Sequence, residues 1–276
     1  MTVLNDAQAV RAWLDRLGID DVVVISPHLD DAAYSIAGFL GAAGSRAEVI
    51  TLVTAALPGP VSDWALATGF ADNEAEFSTR RREDMLAMGR LGCRYQHMGL
   101  PSGDTLEAAA RQVAHALEQE RPGGLGRTLV LLPAGAGGPP PRSLFQRLVW
   151  RGLRRPYGPM PHGEHVQTRD SFWQALAGSA ARIGFYAELP YAWAQSNQQL
   201  QQHVHTALGC QTETVEYRPD IDEKLGWVEL YQSQLIPILG RTPAYRRRVL
   251  SRPECLFVAG PRERSTTTAQ TQTGQG

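Results

Sequence analysis

Residues 21–35 read DVVVISPHLDDAAYS. The four apolar residues at 22–25 are all β-branched, the mark of a strand buried on both faces. Pro27 has no N–H with which to extend a ladder, so the strand stops near Ser26. His28, Asp30 and Asp31 then occupy the turn at its carboxyl end. Asp31 opens a helix, where a carboxylate is favoured by free N–H groups and the helix dipole. An imidazole and two carboxylates in one turn suit zinc or a related divalent ion. The plainer alternative is a loop histidine beside two ordinary first-turn acids.

The surrounding chain alternates short apolar runs with helical patterns. Strands are expected at 22–26, 47–54, 128–133, 182–187, 213–217 and 254–259, and helices at 31–43, 73–91, 105–120 and 165–178. Gly92 follows the second helix as a C-cap would. Continuous apolar strands alternating with helices predict a mostly parallel sheet covered on both faces, with ligands beyond its carboxyl edge. The turn after the first strand lacks a G-x-G-x-x-G pattern, which disfavours a dinucleotide cofactor. The glycines at 135–138 are not followed by the Lys-Ser/Thr of a phosphate loop.

A chain of 276 residues with 43% hydrophobic and 20% charged content builds one sizeable core with at most a small cap. Its net charge of −1 gives no reason to expect nucleic acid. Three widely spaced cysteines (Cys93, Cys210, Cys255) form neither a disulfide framework nor a thiolate metal site, and fit a reducing, cytoplasmic setting. The opening MTVLNDAQAVRAWLDRL reads as an amphipathic helix rather than a secretory signal. No apolar run approaches the roughly 18 residues of a membrane span.

A second cluster stands at residues 160–165, MPHGEH, where His162 and His165 bracket Glu164. Of seven histidines, three fall in these two motifs. His97, His115, His203 and His205 lie elsewhere and are expected to have structural or surface roles. The stretch 134–161 is rich in Gly and Pro around a short basic helix pattern at 143–155, read either as a solvated surface helix or as a lid over the site. Residues 263–276 have no apolar anchor and are expected to be a disordered tail.

In order along roughly residues 20–260, these features resemble the zinc-dependent N-deacetylase family named for the N-acetylglucosaminyl-phosphatidylinositol deacetylase (PIG-L), also called LmbE-like. The carriers are Ser26-Pro27-His28-Leu29-Asp30-Asp31 and His162-Gly163-Glu164-His165. Arg80 to Glu83 leading to Leu91-Gly92, and Gly99-Leu100-Pro101, lie between them. Beyond come Phe185 to Tyr191, Lys224, and Tyr231-x-Ser233-Gln234. The resemblance implies a Rossmann-like three-layer α/β/α fold with a mostly parallel sheet and a small C-terminal cap, all in one domain over 1–262. It implies a zinc ion, or another divalent transition metal, on His28, Asp31 and His165. Asp30 would be the general base. His162 would be the cationic group at the oxyanion, oriented by Glu164. Arg80, Ser102, Asp104 and Met160 would face the substrate, although Arg80 reads equally as a solvated arginine.

The departures are informative. Leu29 and Ala32 replace the proline and glutamate of the commoner H-P-D-D-E form, Met160 stands where some sugar deacetylases have tyrosine, and Ser102 replaces an aspartate. The H-L-D-D-A form resembles branches attached to secondary metabolism, glycopeptide sugar deacetylases among them. The expected substrate is therefore a small N-acyl amine, with acetyl the first choice of acyl group. The competing class is a non-catalytic metal-binding or regulatory member of the same fold. Whether the chain forms a homo-oligomer is left open by its sequence.

Overall fold

A computed structural model of the chain describes residues 1–103, 105–121, 124–137 and 161–260. The insert helix expected at 143–155, Asp104, Met160 and the tail at 263–276 lie outside the described residues. The first half holds β1 (Thr2–Leu4), α1 (Ala7–Arg16), β2 (Asp21–Ser26), α2 (Asp31–Ala43), β3 (Ala47–Ala55), α3 (Asp63–Thr68) and α4 (Asn73–Leu91). β4 (Arg94–Pro101), α5 (Leu106–Glu120), β5 (Thr128–Pro133), α6 (Gly163–Ala175) and β6 (Arg182–Tyr186) follow. The remainder is α7 (Asn197–Leu208), β7 (Thr212–Tyr217), α8 (Ile221–Val228), α9 (Gln232–Leu239), α10 (Pro243–Leu250) and β8 (Glu254–Ala259).

The eight strands form one sheet in the order β1-β7-β8-β6-β5-β2-β3-β4. Every pairing is parallel except those of β8, which runs antiparallel to both β6 and β7. Because successive strand residues face opposite ways, β2 sends Val22 and Val24 into one apolar cluster and Val23 and Ile25 into the other. β5 divides Leu129 and Leu131 from Val130 and Leu132 in the same manner. Helices cover both clusters, so the fold is the expected Rossmann-like three-layer α/β/α arrangement. The three short helices α8–α10 form the small C-terminal addition, with α8 packed on α2 and α9 on α4. None of the described helices is long and apolar enough to cross a membrane.

All six expected strands are present, and two more were not anticipated. The first residues are not one helix. Thr2–Leu4 pairs with β7, and α1 begins only after Asp6, whose carboxylate accepts the Ala9 N–H at 2.8 Å. Arg94–Pro101 is the strand at the far edge, half-exposed along its length, and Gly99 and Pro101 interrupt any apolar run.

After β2 the chain proceeds to β3 and β4 on one side, then returns to β5 and β6 on the other. Beyond the carboxyl ends of β2 and β5 the strand order reverses, which opens the crevice where ligands bind in such sheets. The two histidine motifs meet at this place.

Candidate active site

The turn after β2 is held by Ser26. Its hydroxyl donates to the His28 carbonyl at 2.7 Å and accepts the Ala32 N–H at 3.3 Å. Asp30 occupies the N-cap position of α2, yet its side chain makes no capping hydrogen bond. Its carboxylate is thus free for other partners. Asp31 Oδ2 accepts the His28 backbone N–H at 2.9 Å and stands 3.0 Å from His28 Nδ1. His165, fully buried in the first turn of α6, places Nε2 3.1 Å from the same oxygen and 3.3 Å from His28 Nδ1. Two imidazole nitrogens and one carboxylate oxygen therefore form a triangle with edges of 3.0 to 3.3 Å.

That triangle fits a tetrahedral metal ion. Ligand atoms held about 2.1 Å from such an ion stand about 3.4 Å apart, and His and Asp donors suit zinc. The ring nitrogens of His28, His162 and His165 also lie within 4.8 Å of one another. The group could hold a metal ion with either donor set. The shorter edges favour Asp31 over His162 as the third donor.

Glu164 does not take the place expected for it. Its Oε2 stands 2.7 Å from His28 Nε2 and 3.9 Å from His162 Nδ1, so it orients His28 rather than His162. The reason is topological: α6 starts against the β2–α2 turn, and the first-turn carboxylate reaches across to it. Ser102 Oγ (2.7 Å) and Gly103 N–H (2.9 Å) donate to its other oxygen. Ser102 therefore touches the site through Glu164. His162 lies at the N-cap of α6 with its ring centroid 5.0 Å from that of His28 and 5.1 Å from that of His165. Its Nδ1 has no hydrogen-bond partner.

Glu188 is a residue to which sequence reasoning gave no role. It follows β6, is fully buried, and accepts backbone N–H groups from Ala134, Gly135 and Ala136 at 2.7 to 3.2 Å. Its Oε1 approaches His165 Nδ1 at 3.4 Å, on the side of the ring away from Asp31. Carboxylates placed behind metal-binding imidazoles commonly fix their orientation. The sequence signals were its place in the Phe185–Tyr191 stretch and an acid directly after an apolar strand, neither of which gave it a role.

The electrostatics concentrate positive charge at the triangle. Burial alone would lower the His165 pKa, but Asp31 and Glu188 outweigh it and carry it up to about 10. His28 is likewise raised against burial, by Asp31 and Glu164. Asp31 is held far below the usual carboxylate range, His165 and His28 overcoming its own burial. Glu164 is drawn down to about 2 against burial, chiefly by His28. His162 is lowered by burial and by its two histidine neighbours. This opposes a standing cation at His162, although a neutral imidazole still has one N–H to donate.

Asp30 pairs with Arg80. Its Oδ1 lies 3.6 Å from Arg80 Nη2, and Oδ2 is buried without a partner. Burial, with Asp31 adding to it and Arg80 opposing, pushes its pKa up to about 6. Arg80 is 9% exposed and also meets Glu76 at 3.1 Å, so it is not a solvated residue. It belongs to a buried polar face of α4 formed by Glu76, Arg80, Glu83 and Asp84, spaced as one side of a helix. The site opens into a cavity of about 530 Å³ lined by α3, α4 and α9 as well as by both motifs. His97 pairs with Asp84 at 2.8 Å, His203 meets Arg169 at 3.1 Å, and His115 is exposed, so none of these joins the cluster.

Fold and cluster together define a mixed α/β protein with a candidate metal centre at the switch point of its sheet. No protein-family model and no curated protein sequence matches the chain. Among solved structures it is similar to the zinc-inhibited form of teicoplanin deacetylase, with a TM-score of 0.64 at 18% identity over 89% of this chain and 100% of that one. A triple mutant of a deacetylase of the teicoplanin biosynthetic pathway gives 0.65 at 20%, over 89% and 100%. The deacetylase of the A40926 pseudoaglycone gives 0.61 at 20%, over 88% and 98%. What is shared at these identities is the fold.

Proposed function

We propose that the chain is a zinc-dependent N-deacetylase that hydrolyses the acyl amide, acetyl first among them, of an amino-sugar or related amine. The observation that carries this reading is the His28–Asp31–His165 triangle, with a second carboxylate, Asp30, next to it whose Oδ2 has no partner. The fold shared with the teicoplanin and A40926 pseudoaglycone deacetylases agrees with it.

His28, Asp31 and His165 would hold the ion, with Glu164 and Glu188 fixing the two imidazoles from behind. When bound, zinc supplies Lewis-acid activation of water and of the amide carbonyl. Asp30 takes a proton from the attacking water through its free Oδ2, and a pKa near 6 suits that task close to neutral pH. His162, beside the triangle and half-exposed to the cavity, donates an N–H to the oxyanion that develops on the carbonyl oxygen. Asp30 returns its proton to the departing nitrogen as the C–N bond breaks, and amine and carboxylate leave. Arg80 keeps Asp30 in place and faces the substrate in the cavity.

Elemental analysis and turnover of N-acetylglucosamine conjugates test the reading. The wild type should carry one zinc per chain and release acetate. Asp30→Asn should retain metal and lose most turnover, as removal of a general base costs about 10²–10⁴-fold. A variant as active as wild type would sink the assignment of Asp30.

A further inference from the structure

The peptide unit joining Ala134 to Gly135 is held between a buried carboxylate and a buried guanidinium. Its N–H, that of Gly135, donates to Glu188 Oε1 at 2.7 Å. Its carbonyl, that of Ala134, accepts from Arg169 Nη1 at 2.9 Å. The two charged groups do not pair directly: Arg169 pairs with Asp170 through Nε at 2.8 Å, and the peptide lies between it and Glu188. Glu188 is 0% and Arg169 4% exposed, so the arrangement is closed to water. In such surroundings hydrogen bonds in series polarise and strengthen one another. A cation at the carbonyl makes the amide a better donor to the carboxylate.

The series leads back to the candidate metal centre. Glu188 Oε1 stands 3.4 Å from His165 Nδ1, and Arg169 follows His165 by one turn on the same face of α6. His165, Glu188, the 134–135 peptide and Arg169 thus form a closed ring of contacts. Gly135 fits this ring as no other residue would. Its φ of +69° is left-handed, and a Cβ there would fall 2.7 Å from Arg169 Nη1. On the outer side, His203 of α7 places Nε2 3.1 Å from the same Nη1. A guanidinium N–H can only donate, so Nε2 accepts and the ring is neutral. Burial and the Arg169 cation lower the His203 pKa against Glu188, Asp170 and a bond to the Gly135 backbone, which agrees with a neutral ring.

We propose that Arg169 is a positioning residue for His165: through the 134–135 peptide it fixes the Glu188 carboxylate, and so the direction in which the imidazole presents Nε2, while His203 orients the guanidinium. The inference rests on reading the triangle as a metal centre and extends it two contacts beyond the ligand. Loss of the guanidinium takes this donor from the Ala134 carbonyl and weakens the Gly135 amide as a donor. Glu188 then shifts, and the His165 ring turns with it.

The ring is read in the full-length, metal-free protein by the proton and nitrogen NMR signals of the His165 imidazole, and the ion by chelator competition for zinc. Arg169→Met should move the Nδ1–H signal and lower zinc affinity by about tenfold, the lower end of what losing a group behind a metal-binding imidazole costs. His203→Leu, at a half-buried position of α7, should move both readouts the same way by less, and carries the test if Arg169→Met does not fold. His203→Gln should restore them, because its amide oxygen can accept from Nη1. Wild-type signals and zinc affinity in Arg169→Met, whatever its melting temperature, would make the arginine a structural cation and overturn the proposal while the metal centre stands. Equal losses in His203→Leu and His203→Gln would overturn the part given to His203. Displaced His165 signals in Arg169→Met, in a protein that binds no zinc even as wild type, would uphold the positioning and overturn the metal centre.

Discussion

Lys224 Nζ lies 2.8 Å from Glu254 Oε1, with both side chains closed to solvent. The pair sits in a break of α2, where Ile36 leaves helical geometry at φ −136° and ψ 29°. The Gly38 and Phe39 N–H groups beyond the break donate to Glu254 at 2.9 and 2.7 Å, and Lys224 donates to the Ser35 carbonyl before it at 3.2 Å. A helix that breaks one turn after a candidate metal ligand is thus stapled from two distant elements. Lys224→Met leaves a buried carboxylate without its cation, which typically costs about 3–5 kcal/mol. At roughly 2–4 °C per kcal/mol, thermal unfolding of the metal-free protein should fall by roughly 10 °C. Adding Glu254→Gln should recover part of the loss, since the amide oxygen can still accept from one N–H. A shift below about 2 °C for the single variant would show that the pair contributes little.

Glu164 touches His28 at 2.7 Å and not His162, and this relocation has a measurable consequence. Glu164→Gln removes the carboxylate behind a candidate ligand, and such changes weaken metal binding by about 10–100-fold. Ser102→Ala removes one of the donors to Glu164 and should have a smaller effect in the same direction. Chelator competition on the two variants reads both. Unchanged metal affinity in Glu164→Gln would return the residue to its expected pairing with His162.

The parts of the site that could be read in the sequence are those that a single turn holds. His28, Asp30 and Asp31 lie within four residues of a proline that ends a buried strand, so local chain geometry already places them together. His162 and His165 share one helical start. What could not be read depends on the order of strands. Glu188 reaches the Ala134–Ala136 amides and His165 only because β5 and β6 are neighbours. Glu164 meets His28 only because α6 begins beside the β2–α2 turn. Helix α4 was legible as a helix, but charge periodicity cannot say which face is buried. Its Glu76, Arg80, Glu83 and Asp84 point inward, where Glu83 accepts from Ser233 and Asp84 from Tyr231. Strand β4 escaped because an edge strand needs no continuous apolar run.

The cysteines offer a check on packing at β8 and at the α4–β4 junction. Burial pushes the thiols of Cys93 and Cys255 up to about 12, while Cys210 is half-buried. Since the thiolate is the nucleophile, Ellman's reagent at pH 8 should react with at most one thiol in the native protein. All three should react in guanidinium. Rapid reaction of two or more thiols without denaturant would contradict the packing of β8 or of the α4–β4 junction.

Metal uptake should release protons and strengthen as pH rises. In the metal-free protein the triangle attracts positive charge as protons, with His165 carried up to about 10 and His28 also raised. An ion must displace those protons, because imidazole ligates only when neutral. Calorimetric titration of zinc at pH 7 in two buffers of different ionisation enthalpy should therefore show net proton release. The apparent affinity should increase from pH 6 to pH 8. The effect on stability has the opposite sign. A histidine whose folded pKa exceeds its unfolded value of about 6.5 stabilises the metal-free fold fully below that pH. That contribution declines as pH rises toward 10. Metal-free protein should thus lose stability between pH 7 and pH 10, and zinc should narrow the loss by taking over the charge. Thermal unfolding across that range, with and without zinc, reads both trends, and pH-independent zinc affinity without proton release would show that the cluster binds no ion through His28 and His165.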